Sequence, residues 1–327
     1  MPKSGYNISL VADVGGTNTR IALAQCGTVD VGSIERFSNR DFASLQAVIG
    51  RYCSAAAGCK ITAACVAVAG PIENGTGQLT NLDWSIDQTS LRQVTGAATA
   101  AVINDLQAQA YGLSDLPNTA FETVLSLPTA ASDTPAIGTK LVLGIGTGCN
   151  AALALASPVG VLVPASETGH IGLPVRDQDD LDLALYLRKT HGFASVEHVL
   201  SGAGLETVYH YVAKTAGQPK KPTAQQIMAA MAEGSDPLAH RTVQLAVRML
   251  AHLCADLALI HLPFGGIHLV GGVARALTPY LEPCGFTAAF YDMGRFSQFM
   301  ERFSIALVRD DYAALTGCAN ALEAQHD

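Results

Sequence analysis

Two short turns rich in glycine and threonine, at residues 13–20 and 143–150, constrain the fold of this chain most strongly. Each lies between two apolar runs typical of strands, at 8–12 and 21–24 for the first turn and at 141–143 and 151–156 for the second. This order predicts that each turn is the tip of a β-hairpin. Glycine lets the backbone approach an anion closely and adopt φ > 0, and clustered N–H groups bind anions. Two such tips predict a duplicated fold that holds one polyphosphate from both sides.

The length and composition predict a globular protein with two domains. The chain has 327 residues, 49% of them hydrophobic, which supplies ample core. The stretch 141–166 carries no charge and is long enough to span a bilayer. Its glycines, together with Pro158 and Pro164, break it into short strands and turns, so we expect no membrane span. No signal segment precedes the first predicted strand, which favours a cytoplasmic location.

The charge and the cysteines indicate small-molecule partners and a reducing compartment. The formal net charge is −8 with scattered basic residues, which argues against nucleic acids and anionic membranes as partners. The eight cysteines form no C-x-x-C pair and have no zinc-ribbon spacing. We therefore expect reduced cytoplasmic thiols.

The pattern of apolar residues predicts strand, hairpin and strand, then helices and buried strands, and repeats from residue 140. Predicted strands lie at 8–13, 20–26, 31–37, 61–68, 99–103, 267–270 and 304–308, and predicted helices at 44–57, 87–94, 106–113, 237–261 and 312–324. The domain boundary is expected at 114–117. The closing helix is free to pack on either domain.

Two known nucleotide-binding motifs are alternatives to a phosphate-binding hairpin. Gly144-x-Gly146-x-Gly148 matches part of a dinucleotide fingerprint, which requires a helix directly after it and a carboxylate about 20 residues on. Pro158 comes too early for that helix. No G-K-[S/T] occurs in the chain, which excludes a Walker loop.

Two acidic residues stand at the ends of predicted strands. Asp13 can reach Mg²⁺ directly or through water, or it caps the turn. Asn104-Asp105 follows the buried strand 99–103, where Asp105 is a candidate general base for transfer to a hydroxyl. The alternative is that Asn104 or Asp105 only caps the helix that begins at Leu106.

Nine motifs in the same order identify a family resemblance. They are Asp13-Val14-Gly15-Gly16-Thr17-Asn18, Ala69-Gly70-Pro71-Ile72, Thr80-Asn81 with Trp84, Ile103-Asn104-Asp105, Gly144-Ile145-Gly146-Thr147-Gly148, Glu167 with Gly169-His170, Glu197 with Val199-Leu200-Ser201-Gly202, Gly271-Gly272 and Gly294-Arg295-Phe296. With them the chain resembles the bacterial ATP-dependent glucokinases of the proteobacterial type, in the actin/hexokinase/Hsp70 superfamily.

The resemblance implies an α/β fold of two domains with a ribonuclease-H-like (actin-like ATPase) duplication and the active site in the interdomain cleft. The implied small domain is 1–115, completed by 308–327, and the implied large domain is 116–307. It also implies glucose and ATP as substrates, Mg²⁺ as cofactor, and a homodimer. No cysteine cluster follows Gly169-His170, so no structural zinc is expected, although Glu167 and His170 have a spacing that could bind zinc.

The resemblance assigns the site residues by position. Asp105 is the implied catalytic base, and the implied sugar ligands are Asn104, Asp105, Glu167, His170 and Glu197. Asp13 is the implied magnesium ligand. ATP is expected at Asp13, Gly15, Gly16, Thr17, Asn18, Gly146, Thr147, Gly148, Gly271 and Gly272, with Gly202 and Gly204 near the adenosine.

The chain departs from the family pattern at two places, and the first of them leaves the sugar preference open. Ser166 and Thr168 flank Glu167 where the family often has glycine, and Gly148-Cys149-Asn150 replaces Gly-Leu-Gly. We expect Asn150 to replace its glycine by adopting left-handed backbone. The alternatives are a kinase for another hexose or an N-acetylhexosamine, a non-catalytic sugar-responsive regulator, a dehydrogenase, and use of ADP or polyphosphate as donor.

Overall fold

A computed structural model of the chain describes residues 8–56, 59–79, 82–127, 138–157 and 160–324. Thr80 and Asn81 of the third motif and Pro158 of the uncharged stretch lie outside these ranges. The chain divides into two compact units. The first comprises Met1–Asn118, Ala154–Ala165 and Asp310–Asp327, and the second comprises Thr119–Leu153 and Ser166–Arg309.

The first unit is built on a mixed sheet with a parallel centre. Its strands are β1 (Ile8–Val14), β2 (Asn18–Gln25), β3 (Thr28–Val29), β4 (Glu35–Ser38), β5 (Ile61–Val68) and β9 (Thr99–Asn104). The order is β3-β2-β1-β5-β9, and β4 pairs with β2. β1 is antiparallel to β2 and parallel to β5, which is parallel to β9. The carboxyl ends of β1, β5 and β9 therefore lie at one edge, where Asp13 and Asp105 stand.

Helices cover both faces of this sheet. They are α1 (Leu45–Ala55), α2 (Gln88–Thr95), α3 (Asp105–Gly112) and α11 (Ala313–Glu323), and a small sheet of β6 (Ile72–Glu73), β7 (Thr76–Gln78) and β8 (Ser85–Asp87) adjoins them. Leu10 and Val14 pack with large residues of α1 and α2. Val11 packs on the other face with the alanine-rich α3 and α11. This alternation follows from the two-residue period of a strand.

One predicted strand begins later than expected. Residues 31–37 were expected to be extended, but Val31–Ser33 forms a short 3-10 helix and β4 begins at Glu35. The cause is a local side-chain bond, since the Asp30 carboxylate accepts from the Gly32 N–H at 3.0 Å. Aspartate often competes with strand pairing in this way.

The second unit contains another mixed sheet. The strands are β10 (Phe121–Leu125), β11 (Lys140–Ile145), β12 (Cys149–Ser157), β13 (Gly160–Leu162), β14 (Ile267–Val270) and β15 (Ile305–Val308), in the order β10-β15-β14-β11-β12-β13. The chain passes from the second unit to the first within β12, and β13 belongs to the inserted segment Ala154–Ala165. The uncharged stretch 141–166 thus forms strands, as expected.

Seven helices are described in the second unit, and the longest is buried. They are α4 (Gln178–His191), α5 (Gly202–Thr215), α6 (Ala224–Glu233), α7 (Pro237–His261), α8 (Gly272–Leu277), α9 (Phe286–Tyr291) and α10 (Ser297–Met300). Within the described ranges, α7 alone is long and apolar enough to cross a membrane. However, 72% of its most apolar window is buried inside the protein. α7 is thus the core helix of this unit, packed with β11 and β14.

Candidate active site

The first glycine turn places a partly neutralised carboxylate at the end of β1. The turn is closed by a hydrogen bond from the Gly15 N–H to the Asn18 carbonyl oxygen, at 3.0 Å. Asp13 faces Arg20 across the hairpin, and Arg20 donates to its Oδ2 at 3.1 Å. Burial raises the pKa of Asp13, and the Arg20 charge only partly opposes this. Asp13 therefore has the properties of a carboxylate that would gain from a further cation.

The glycines of both turns act through their missing side chains. None of Gly15, Gly16, Gly146 and Gly148 has positive φ, so these glycines are not required for left-handed backbone. A Cβ on Gly146 would meet no atom within 4 Å, and one on Gly15 would meet only the Asn18 carbonyl oxygen, at 3.5 Å. The space beside these two glycines is open, which suits close approach of a ligand to the backbone.

Asn39, which the sequence did not indicate, braces the first turn. Its side-chain amide donates to the Gly15 carbonyl oxygen at 2.8 Å, and its backbone N–H donates to the Thr17 carbonyl oxygen at 2.9 Å. The buried Thr19 hydroxyl donates to the Asn39 Oδ1 at 2.8 Å. Thr17 remains exposed at the tip. A buried amide thus fixes the backbone of the turn while its tip stays open.

Asn104 and Asp105 join the end of β9 to the start of α3. Asn104 caps the helix, since its Oδ1 accepts from the Leu106 N–H at 2.9 Å, and its amide donates to the Gly70 carbonyl oxygen at 3.0 Å. Gln107 completes a capping box with Asn104. Asn104 therefore caps α3. This leaves only part of its amide for a ligand.

Asp105 has a strongly perturbed carboxyl group. Its Oδ1 accepts from the Leu106 N–H at 2.9 Å. Burial, reinforced by the negative charge of Asp13, raises the pKa of Asp105 to about 7. A carboxylate with this pKa is a stronger base than an ordinary aspartate and is about half ionised at pH 7. Asp105 thus has the electrostatics of a general base.

The second turn has the same construction and is held by two neighbouring helices. The Gly146 N–H donates to the Gly148 carbonyl oxygen at 2.9 Å, and Thr147 is exposed at the tip. The Gly146 carbonyl oxygen accepts from the Gly202 N–H, at the start of α5, at 2.9 Å. A Cβ on Gly271, where φ is 101°, would overlap the Ile145 carbonyl oxygen. Both predicted adenosine segments therefore lie beside the second turn.

Gly204 and Gly272, in these two segments, differ in the space beside them. A Cβ on Gly272, the first residue of α8, would meet nothing within 4 Å. A Cβ on Gly204 would lie 2.6 Å from the Val199 carbonyl oxygen, so Gly204 is needed for packing of α5. Gly272 is thus the more accessible of the two.

Glu197, a predicted sugar ligand, forms a hydrogen bond with the end of the second turn. Its Oε2 accepts from the Cys149 N–H at 2.8 Å. A Cβ on Gly148 would lie 2.6 Å from the same oxygen, so a larger residue there would displace the Glu197 carboxylate. One carboxylate oxygen is thus used within the protein. Glu197 links the phosphate turn to the region predicted to bind the sugar.

Glu167 and His170 lie on the segment adjacent to Glu197. Both are exposed at a short 3-10 helix, Thr168–His170, and neither side chain forms a hydrogen bond with the described part of the protein. The following residues pair with the Glu197 segment, since the Val196 N–H donates to the Ile171 carbonyl oxygen at 3.1 Å. The structure therefore brings Glu167, His170 and Glu197 onto adjacent segments.

Asn150 contradicts the expectation of left-handed backbone. It is an ordinary residue of β12 without positive φ. Its side chain instead forms hydrogen bonds to the Glu167 segment, donating to the Ser166 carbonyl oxygen at 2.6 Å and accepting from the Thr168 N–H at 2.8 Å. Asn150 thus acts here through the hydrogen bonds of its amide and not through left-handed backbone.

The donor set at the first turn suits magnesium. Mg²⁺ commonly takes one or two carboxylates, with waters and substrate phosphates. Asp13 and Asp105 are close enough that the charge of one raises the pKa of the other. A cation between them would relieve that repulsion. Among the described residues, no three His, Cys, Asp or Glu side chains cluster in the manner of a protein metal site, at Glu167 and His170 or elsewhere.

Comparison with known proteins identifies one family over nearly the whole chain. The glucokinase family model matches residues 10–325. A glucokinase of Saccharophagus degradans is 31% identical over 319 residues, covering 96% of this chain and 98% of the relative. The crystal structure of a glucokinase from an Antarctic psychrotroph is 30% identical, with a TM-score of 0.85 over 98% of this chain and 99% of that one.

A more distant structure shares the fold. A glucokinase from Balamuthia mandrillaris, solved in complex with glucose, has a TM-score of 0.80 at 22% identity and covers 98% of this chain and 94% of its own. This chain therefore shares its mixed α/β architecture with both solved structures. Since the family match extends over nearly the whole sequence, the chain belongs to the glucokinase family.

Proposed function

We propose that this protein transfers the γ-phosphoryl group of ATP to the 6-hydroxyl of glucose, giving glucose 6-phosphate and ADP. The observation that carries this proposal is Asp105, a carboxylate at the start of α3 whose pKa is raised to about 7. Membership in the glucokinase family supports glucose as acceptor and ATP as donor.

Asp105 acts as the general base. Its ionised carboxylate accepts the proton of the 6-hydroxyl as that oxygen attacks the γ-phosphorus. The bond from phosphorus to the ADP oxygen breaks in line, without a covalent enzyme intermediate. Oδ2 is the atom assigned to the proton, because Oδ1 accepts from the Leu106 N–H. The raised pKa favours this transfer near neutral pH.

The two glycine turns hold the phosphates. The backbone N–H groups of Gly16, Thr17, Thr147 and Gly148, with the threonine hydroxyls and the side chain of Asn18, are assigned to the β- and γ-phosphates. Gly271 and Gly272 are assigned to the adenosine. Mg²⁺, held by Asp13 directly or through water, would neutralise phosphate charge. The proposed fold is an actin-like duplication of ribonuclease-H-like domains.

The sugar is held by hydrogen-bonding groups from the predicted set. The exposed Glu167 carboxylate and the Oε1 of Glu197 accept hydrogen bonds from its hydroxyls. The exposed His170 ring donates a hydrogen bond to another hydroxyl. Asn104 contributes only the part of its amide that is not used for capping α3. The small domain of 1–115 with 308–327, the large domain of 116–307, the homodimer and the cytoplasmic location remain predictions.

A panel of sugars and phosphoryl donors tests the proposal. Initial rates are measured for glucose, other hexoses and N-acetylhexosamines, each with ATP, ADP or polyphosphate. We expect the highest kcat/KM with glucose and ATP, and none for ATP without a sugar. A higher kcat/KM for another sugar or donor would assign that substrate instead. No transfer to any sugar would favour a sugar-responsive regulator, which equilibrium binding would then identify.

A further inference from the structure

Asn150 connects the start of β12 to both neighbours of Glu167. Its Nδ2 donates to the Ser166 carbonyl oxygen at 2.6 Å, and its Oδ1 accepts from the Thr168 N–H at 2.8 Å. The Oδ1 also accepts from the Ala151 N–H at 2.7 Å. One amide therefore fixes the backbone on each side of Glu167. A glycine at position 150 would leave the Ser166 and Thr168 groups without these partners.

The hydroxyls next to Glu167 add a second connection. The Ser166 Oγ and the Thr168 Oγ1 lie 2.7 Å apart, in hydrogen-bond contact across Glu167. Thr168 is buried, although Glu167 itself is exposed. The three residues that depart from the family's glycines are thus bonded to one another. Together they restrict the backbone of the loop that carries Glu167.

The same end of β12 also positions Glu197. The Cys149 N–H donates to the Glu197 Oε2 at 2.8 Å. Gly169 packs so closely on the Cys149 carbonyl oxygen that a Cβ there would overlap it. Two consecutive residues, Cys149 and Asn150, therefore hold the segments of both glutamates. A fixed spacing of Glu167 and Glu197 is the consequence.

We propose that Asn150 is a positioning residue that sets affinity and selectivity for the sugar by fixing the Glu167 loop relative to Glu197. This inference rests on the proposed function, in which both glutamates bind sugar hydroxyls. A ring of hydroxyls is distinguished from its epimers by acceptors at fixed positions, since a misplaced hydroxyl leaves an acceptor unpaired. Loosening the loop therefore weakens glucose binding and reduces discrimination between hexoses.

The test compares Asn150→Ala with wild type in steady-state kinetics and in calorimetric titration with glucose alone. We expect Asn150→Ala to raise KM and Kd for glucose by about ten-fold, from loss of two loop bonds, with KM for ATP within about two-fold of wild type. The ratio of kcat/KM for glucose to that for mannose is expected to fall. Asn150→Asp keeps the acceptor for the Thr168 N–H and loses the donor to Ser166, so an intermediate effect is expected.

Gln178→Ala is the matched control, since it removes an exposed carboxamide of the same unit that bonds only Asp182. It should leave both constants unchanged. Unchanged glucose affinity and selectivity in Asn150→Ala would overturn the inference. The proposed function would still stand if the wild type phosphorylates glucose. Equal losses for glucose and ATP would also overturn the inference, because they indicate general damage. Wild-type protein that neither binds nor phosphorylates glucose would contradict the proposed function and this inference with it.

Discussion

Asp105 lies where ionisation of a carboxylate is unfavourable for the fold, because burial and the nearby charge of Asp13 both raise its pKa. The same conditions make it a suitable base. The neighbouring Asn104 shows that the identity of a residue does not reveal whether its side chain is available to a ligand. Its amide caps α3 and bonds the Gly70 carbonyl oxygen, and only the three-dimensional contacts reveal how much of it is left for a sugar.

The pH dependence of kcat/KM follows from the pKa of Asp105. The base must be ionised in the free enzyme, so activity is expected to rise with pH and to level off above an apparent pKa of about 7. Initial rates at low glucose from pH 5.5 to 8.5 measure this limb, with saturating ATP and a coupling system checked at each pH. A flat profile across this range would exclude Asp105 as the titrating base.

Asp105→Asn should stabilise the fold at alkaline pH. The folded-state pKa of about 7 lies above the usual value of 3.8, so the folded state binds more protons and stability falls as pH rises between these values. Asparagine removes this loss. We expect a gain on the order of 1–3 kcal/mol at pH 8, allowing for partial exposure, and little gain near pH 4. Denaturant unfolding at both pH values measures it, and a gain independent of pH would contradict the cause.

At the scale of elements, the hairpins and the buried strands were predictable because apolar runs bounded by glycine turns have few alternatives. Strand β5, helix α1 with its Ser44 cap and helix α7 all form where the pattern places them. The 3-10 helix at Val31–Ser33 was not predictable from periodicity, since one Asp30 side chain decides it. The Asn39 brace was missed because its partners are 20 or more residues away.

Asn39→Ala should weaken ATP binding through the first turn. The variant loses the bond to the Gly15 carbonyl oxygen and leaves the buried Thr19 hydroxyl without its partner. We expect KM for ATP to rise about ten-fold, and the free energy of unfolding to fall by about 1–3 kcal/mol. The control is Asn320→Ala, which removes another structural amide of the same unit, bonded to Tyr111 and Asp115. Similar KM values for ATP in both variants would contradict a role in the turn.

Gly317→Ala should disrupt the packing of α3 on α11. A Cβ on Gly317 would overlap the Ala108 carbonyl oxygen, and backbone cannot move aside as a side chain does. We expect a loss of about 3 kcal/mol or more, or failure to accumulate as folded protein. Gly50→Ala in α1 is the control, because its Cβ would lie 3.6 Å from Val94 and alanine favours a helix. Equal stabilities of the two variants would show that this close contact is absent.

At the level of the whole molecule, the family was recognisable from motifs spread along the sequence, while the return of one internal segment to the first unit was not. The segment Ala154–Ala165 belongs to the first unit although both of its flanks belong to the second. Composition gives no sign of this, because the uncharged stretch 141–166 continues through the crossing. The two turns proved alike in construction, each closed by one backbone bond, with an exposed threonine at its tip.

The role of Asp105 as general base is tested by the rate of glucose 6-phosphate formation from glucose and ATP in wild type and in Asp105→Asn. Asparagine keeps the bond to the Leu106 N–H but cannot accept the proton. We predict that kcat falls by about 100-fold to 10,000-fold while glucose still binds in calorimetric titration. A kcat for Asp105→Asn equal to that of wild type would contradict the account.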